Sequence, residues 1–343
     1  NSSQKSLQLS KLVSPQLLEG DGQLQFTISP SRMIELESSL DFLLQYPYGC
    51  AEQTTSRLIP WLNLAKRYEA LFPNQLDQSK AKLAIERGVQ RLLNMQNYDG
   101  GIQYWPGSGT PDLWISAYAG FALFKAKDWG ISIPEASLNS LTEYLTKAIR
   151  EKEMATTVDS HKLTSAAMAL YTLARVGKPE ESFQNTLYQR RTALSSEARA
   201  FLALSMCLTK AKSAQILELI DGKPAKKTST EPFWLGPKSV DGLKLIIYAH
   251  LGQKKKAEEL MTQLLKQRGP QGHWGSTFSN AWILTGFATN NPPAKDFKTV
   301  NLQISNGSDS QKVEFQNDLK KHVETLKFAP NSTLSPIQLQ LSQ

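Results

Sequence analysis

The chain has 343 residues, enough for one large domain and a smaller one, and with 40% hydrophobic and 20% charged residues it is not a disordered protein. No run approaches the roughly 18 consecutive apolar residues that would mark a membrane-spanning helix, so direct membrane insertion is excluded. The net charge of +8 raises nucleic-acid binding, but the densest basic run, Lys254-Lys255-Lys256, leads straight into Glu258 and Glu259. It reads as a solvated helix face, and no nucleic-acid partner is expected.

Asn1-Ser2-Ser3-Gln4-Lys5 has neither the apolar core nor the cleavage site of a signal peptide, so the chain reads as cytosolic or as an excised piece of a longer secreted protein. Leu24, Phe26 and Ile28 alternate with polar residues after the turn signal Gly20-Asp21-Gly22, which predicts a strand. The same period of two returns after Pro292-Pro293, in Val300, Leu302 and Ile304, in Val313 and Phe315, at Val323, and in Ile337, Leu339 and Leu341. Asn306-Gly307 reads as a hairpin turn between two of these strands. Neither end has enough strands for a stable sheet alone, so residues 1–30 and 293–343 are expected to combine into one small β domain.

The intervening residues, 31–292, read as helical. Six segments rich in small and apolar residues begin near positions 52, 112, 161, 196, 239 and 278. They alternate with six amphipathic stretches, near 32–46, 76–96, 134–150, 181–190, 211–221 and 254–268. In the second of these, Ala84, Val89, Leu92 and Leu93 oppose a charged face. The expected architecture is mainly α, about six helical hairpins that either close into an inner and an outer ring or continue as an open superhelix. Two stretches resemble each other: Gly100-Gly101 with Trp105 precedes Trp114 to Phe121, and Gly272-His273-Trp274 precedes Trp282 to Phe287. These are loops expected to pack the rim.

Chemistry concentrates in Tyr46-Pro47-Tyr48-Gly49-Cys50-Ala51-Glu52-Gln53. Pro47 disfavours helix in the residue before it, and Gly49 is expected to permit a sharp turn. A new helix then starts near Cys50–Glu52, with Glu52 complementing its positive end and Cys50 placed where a thiolate is stabilised. Gln53 lies three residues on, so its carboxamide can return over the sulfur. The sulfur can then attack the amide carbonyl and expel ammonia, leaving an internal thioester, a bond that must be kept from water. Tyr46 and Tyr48 are candidates for its cover, with Trp61 or a tryptophan of the rim loops.

Pro47-x-Gly49-Cys50-x-Glu52-Gln53 resembles, at every fixed position, the thioester motif of α2-macroglobulins and complement components, and the fuller tyrosine-rich form is similar to the bacterial branch. The resemblance implies an α/α toroid inserted into a small β-sandwich of CUB type. It also implies a covalent protease trap that acts once and is not an enzyme. A protease cuts a bait region elsewhere in the parent protein, and the Cys50–Gln53 thioester then acylates a lysine amine on that protease. The implied partners are target proteases and the other domains of the parent macroglobulin. The implied location is periplasmic or extracellular, in a longer, membrane-anchored bacterial protein. Ala51 stands where animal members commonly carry glycine. Some complement proteins relay the acyl group through a later histidine; His161 is the candidate here, with a surface histidine at a helix start as the simpler reading.

Two cysteines are too few for a disulfide framework, and Cys207 reads as a small buried hydrophobe. No metal-ligand spacing appears around His250 or His273, Asp99 and Asp112 stand isolated in the sequence, and no cofactor is expected. Two other readings stay open: a cysteine enzyme using Cys50, which would need a base and an orienting group, and a toroid whose motif never closes.

Overall fold

The computed structural model describes residues 6–8, 22–29, 31–107, 109–225, 236–291, 300–306, 309–315, 322–328 and 337–342. The chain divides into two compact units, Glu35–Asn291 and a second made from both ends, Asn1–Ile34 with Pro292–Gln343.

The larger unit is helical. In chain order its helices are α1 (Glu37–Leu44), α2 (Ala51–Tyr68), α3 (Gln78–Leu93), α4 (Leu113–Trp129), α5 (Glu135–Arg150) and α6 (Lys152–Thr156), then α7 (Ser160–Arg175), α8 (Glu181–Gln189), α9 (Ser196–Leu208), α10 (Ser213–Asp221), α11 (Pro237–His250), α12 (Lys254–Lys266) and α13 (Thr277–Asn290). Burial sorts them into two classes. In α5 a single stripe, Leu138, Leu141, Leu145 and Ile149, is buried at helical spacing, whereas in α7 every residue from Leu163 to Leu173 is buried. A helix dry on one stripe faces one neighbour; a helix dry all round has neighbours on every side.

The second class is α2, α4, α7, α9, α11 and α13, and each packs on the next, with α13 returning to α2. Of the two architectures the sequence left open, the chain therefore adopts the closed ring. Helices α1, α3, α5, α8, α10 and α12 pack outside it. Small residues let the inner helices approach: a Cβ on Gly242 of α11 would lie 2.6 Å from the Ile283 backbone nitrogen of α13, and one on Gly286 2.7 Å from the Gly242 carbonyl. Aromatic rings fill the space the ring encloses. Trp282 is fully buried, with ring centroids of Phe121, Phe201, Tyr118, Phe278 and Tyr171 at 5.3, 5.8, 6.0, 6.1 and 6.3 Å. Cys207 is buried in α9, where desolvation pushes its thiol up to about 12.

The smaller unit holds strands β1 (Ser6–Gln8), β2 (Gly22–Ile28), β3 (Val300–Asn306), β4 (Asp309–Phe315), β5 (His322–Phe328) and β6 (Ile337–Ser342). They form a four-stranded sheet in the order β1-β6-β3-β4 and a two-stranded sheet β2-β5. All pairs are antiparallel, and the two chain ends meet directly, with Leu7 opposite Leu339 and Leu24 opposite Leu326. β3 and β4 pair in the register expected of a hairpin, Asn306 opposite Asp309, while Gly20, Asp21, Gly307 and Pro292-Pro293 lie outside the described residues.

Candidate functional site

α1 ends at Leu44, and α2 begins at Ala51 with Cys50 as its N-cap in extended geometry (φ −64°, ψ 171°). The Gln53 side chain folds back over the start of the helix: its Oε1 accepts the Cys50 backbone N–H at 3.2 Å, while the Gln53 N–H points back to the Cys50 sulfur. This reciprocal arrangement is a capping box, with cysteine and glutamine where Ser/Thr and Glu/Gln usually stand. It brings the thiol and the carboxamide onto one turn. The Tyr46 phenol lies close enough to the same carboxamide for Gln53 to influence its ionisation.

The backbone around Cys50 is held from outside its own helix. Ala51 donates its N–H to the Tyr104 carbonyl at 2.9 Å, and the Gly49 carbonyl accepts from Arg91 Nε at 2.7 Å and Thr54 Oγ1 at 3.3 Å. Gly49 has no positive φ, so the expected sharp turn is not why glycine stands there. A Cβ at this position would sit 3.0 Å from the Arg91 guanidinium, so glycine lets the arginine approach the carbonyl this closely.

Burial is the largest influence on the Cys50 thiol and raises its pKa; the Gln53 N–H acts in the opposite direction, and Glu52 adds a smaller upward push. The thiolate stabilisation expected at a helix N-terminus is therefore outweighed by desolvation. Glu52 does more than complement the helix end. It is 5% exposed, accepts from Ser56 Oγ at 2.6 Å, and accepts from Thr277 Oγ1 at 2.9 and 3.0 Å on its two oxygens. Ser56 also pairs with the Tyr118 hydroxyl at 2.9 Å. Desolvation raises the Glu52 carboxyl above its ordinary value, and both hydroxyl bonds offset part of the rise.

The aromatic residues divide. Tyr46 is half-buried and lies edge-on to Phe42 and Tyr48, each at 5.6 Å, and Phe42 stacks on His273 at 3.8 Å. Tyr48 is 64% exposed, and Pro47 is exposed beside it. Trp61 lies about 16 Å along the helix axis from Cys50, too far to cover it. Trp274 is buried and donates to the Leu264 carbonyl, whereas Trp105 is 49% exposed, so the two similar loops hold their tryptophans differently. Tyr104, unmarked by sequence reasoning, is half-buried with its phenol within electrostatic reach of Asp112, Glu52 and Cys50.

His161, in the first turn of α7, has Nε2 3.7 Å from Asp112 Oδ2. Asp112 also caps α4, accepting the Ile115 N–H at 2.9 Å, so this aspartate is not isolated. His273 accepts the Gly275 N–H at 3.2 Å and pairs with Gln271. Among the described residues no group of His, Cys, Asp and Glu is placed to hold a metal ion. No helix among them is long and apolar enough to cross a membrane. Lys256, of the basic run at the start of α12, pairs with Asp221 at 3.1 Å.

A closed ring of helical hairpins with a Cys–Gln capping box at the start of its first inner helix defines a class, and comparison with known proteins agrees. Residues 26–216, more than half of the chain, match the family model of the A-macroglobulin TED domain, and the chain belongs to that family. It is 28% identical over 235 residues to alpha-2-macroglobulin of Escherichia coli strain K12, covering 65% of this chain and 14% of that protein. It is 30% identical over 178 residues to an alpha-2-macroglobulin homolog of Yersinia pestis, covering 51% of this chain and 9% of that one. It thus spans a small part of these bacterial relatives. Among solved structures, native alpha-2-macroglobulin of Escherichia coli from domain MG7 to the C-terminus superposes with a TM-score of 0.67 at 23% identity, over 93% of this chain and 50% of that one. Salmonella alpha-2-macroglobulin reacted with methylamine gives 0.69 at 19% identity, over 94% and 23%. At these identities the likeness is one of fold.

Proposed function

We propose that Cys50 and Gln53 condense into an internal thioester and that this chain is the reactive part of a bacterial protease trap. The observation that carries the reading is the return of the Gln53 carboxamide to Cys50 within a single turn. In formation, the Cys50 sulfur attacks the Gln53 side-chain carbon and the amide nitrogen leaves as ammonia. In reaction, an amine attacks the same carbon, the carbon–sulfur bond breaks with its electron pair on sulfur, and a proton restores the thiol. Holding both groups on one turn offsets much of the entropy cost of forming the bond.

In this reading the trap acts once, its targets are surface lysines of a protease that has cut a bait region elsewhere in the parent, and other domains of that parent control exposure. Pro47, Gly49 and Glu52 support the motif; Tyr46 covers it, and Tyr48, more exposed, adds to the cover as part of the same loop. His161, oriented by Asp112, is a subordinate candidate for acyl relay. The paired chain ends, residues 1–30 and 293–343, form a CUB-like β-sandwich, with the toroid of residues 31–292 inserted between them in the sequence. The parent is periplasmic or extracellular and membrane-anchored.

Intact-mass measurement tests the central step. The protein should weigh one ammonia less than its sequence requires, and methylamine should add its own mass and release one titratable thiol. A full-mass protein indifferent to methylamine would leave a toroid whose motif is structural only.

A further inference from the structure

We propose that Arg91 is a positioning residue of the thioester, clamping the Gly49 carbonyl and so holding its positive charge next to the residue whose sulfur leaves when the bond opens. The inference rests on the thioester reading above. Arg91 lies in the last turn of α3, far in sequence from the motif, and its Nε reaches the Gly49 carbonyl at 2.7 Å. The guanidinium packs so closely on Gly49 that a Cβ there would push it back from the carbonyl it holds. A second arginine holds the other end of the same loop, with Arg57 of α2 donating to the Leu44 carbonyl at 3.3 Å.

The groups that face Cys50 differ in what they do to charge on the sulfur. Glu52, on the same helix, opposes it, as does desolvation; the Gln53 and Glu52 backbone N–H groups and Arg91 favour it. Tyr46 in the preceding loop and Tyr104 in the loop before α4 are within electrostatic reach of the sulfur, and burial holds both phenols protonated. Arg91 is the smallest of these influences and the one cation among them. When an amine attacks the Gln53 carbon, the carbon–sulfur electron pair moves onto Cys50, and a cation beside it favours departure, because a better-stabilised thiolate leaves faster. A purely structural clamp needs only a hydrogen-bond donor at Gly49, whereas an electrostatic role needs the charge.

The test compares the purified wild-type protein with Arg91→Lys and Arg91→Gln. Intact mass first reports whether the wild type has lost ammonia; if it has not, the thioester reading and this inference fall together. With ammonia lost, the rate of methylamine opening is measured, then the pH profile of thiol alkylation in the opened protein. Arg91→Gln should open roughly two- to fivefold more slowly, the range expected for one exposed charge, and its alkylation profile should move to higher pH. Arg91→Lys should restore much of both. Wild-type alkylation should also slow as ionic strength rises, a readout that does not depend on any variant folding. Overlapping profiles for the three proteins, or a wild-type rate indifferent to salt, would overturn the electrostatic role while leaving the thioester intact.

Discussion

Thr277, the first residue of the last inner helix, donates its hydroxyl to both oxygens of Glu52, in the first turn of the first inner helix, at 2.9 and 3.0 Å. A residue lying between Cys50 and Gln53 is thus also a clasp between the first and last inner helices. Further along the same seam Asn63 Nδ2 donates to Thr285 Oγ1 at 2.8 Å and the Tyr68 hydroxyl to the Ala288 carbonyl at 3.2 Å. Hydrogen bonds cross other inner junctions as well, Ser56 with Tyr118 at 2.9 Å, Thr172 Oγ1 to the Ala117 carbonyl at 2.9 Å and Asn290 Nδ2 to the Leu245 carbonyl at 2.8 Å, so the seam is held by the same mixture of apolar packing and polar ties as the rest of the ring.

Thr277→Val should destabilise the fold by about 1–3 kcal/mol in urea unfolding, because it strips a buried carboxylate of a donor that water cannot replace. The pH dependence follows from Glu52, whose pKa in the folded protein is raised above its ordinary value of 4.5. Its contribution to stability is then fully present below that value and is lost as pH rises through the folded pKa. Glu52→Gln, which cannot ionise, should accordingly compare better with the wild type at pH near 7 than at pH near 4. An unchanged difference across that range would mean the burial of Glu52 carries no proton linkage.

Gly286→Ala should destabilise by about 1–3 kcal/mol, since its Cβ would lie 2.7 Å from the Gly242 carbonyl and neither backbone can yield without parting α11 from α13. Thermal unfolding measures this. A variant as stable as the wild type would show that the two helices can slide apart freely.

Cys50→Ser should separate fold from chemistry. Serine is a good N-cap and keeps the reciprocal bond with Gln53, so helix content and unfolding midpoint should stay close to wild type. The mass deficit of one ammonia and the methylamine reaction should both disappear. Loss of folding instead would mean the box depends on sulfur.

The two motif tyrosines should behave unequally. Tyr46 is half-buried, near Gln53 and packed edge-on against Phe42 and Tyr48, so Tyr46→Ala should raise the rate of spontaneous loss of methylamine reactivity by several-fold. Tyr48, 64% exposed, protects little by itself, and Tyr48→Ala should change that rate much less. Following reactivity over hours at neutral pH distinguishes them; equal acceleration would make the cover a joint property of the loop.

The sequence by itself determined the helical hairpins, their alternation of dry and half-dry helices, the strand character of both ends and the placing of Cys50 and Gln53 on one turn. All of these are periodicity or short-range geometry, written within a few residues. Tertiary structure alone decided that the hairpins close on themselves, because closure depends on how α13 meets α2, more than 200 positions apart in the chain. It alone revealed Arg91, Tyr104 and Thr277 around the motif, since no local pattern marks an arginine that lands on Gly49 or a threonine that meets Glu52. And it reversed the expectation for the Cys50 thiol: the helix end is visible in the sequence, but the desolvation that outweighs it is a property of everything packed around the sulfur.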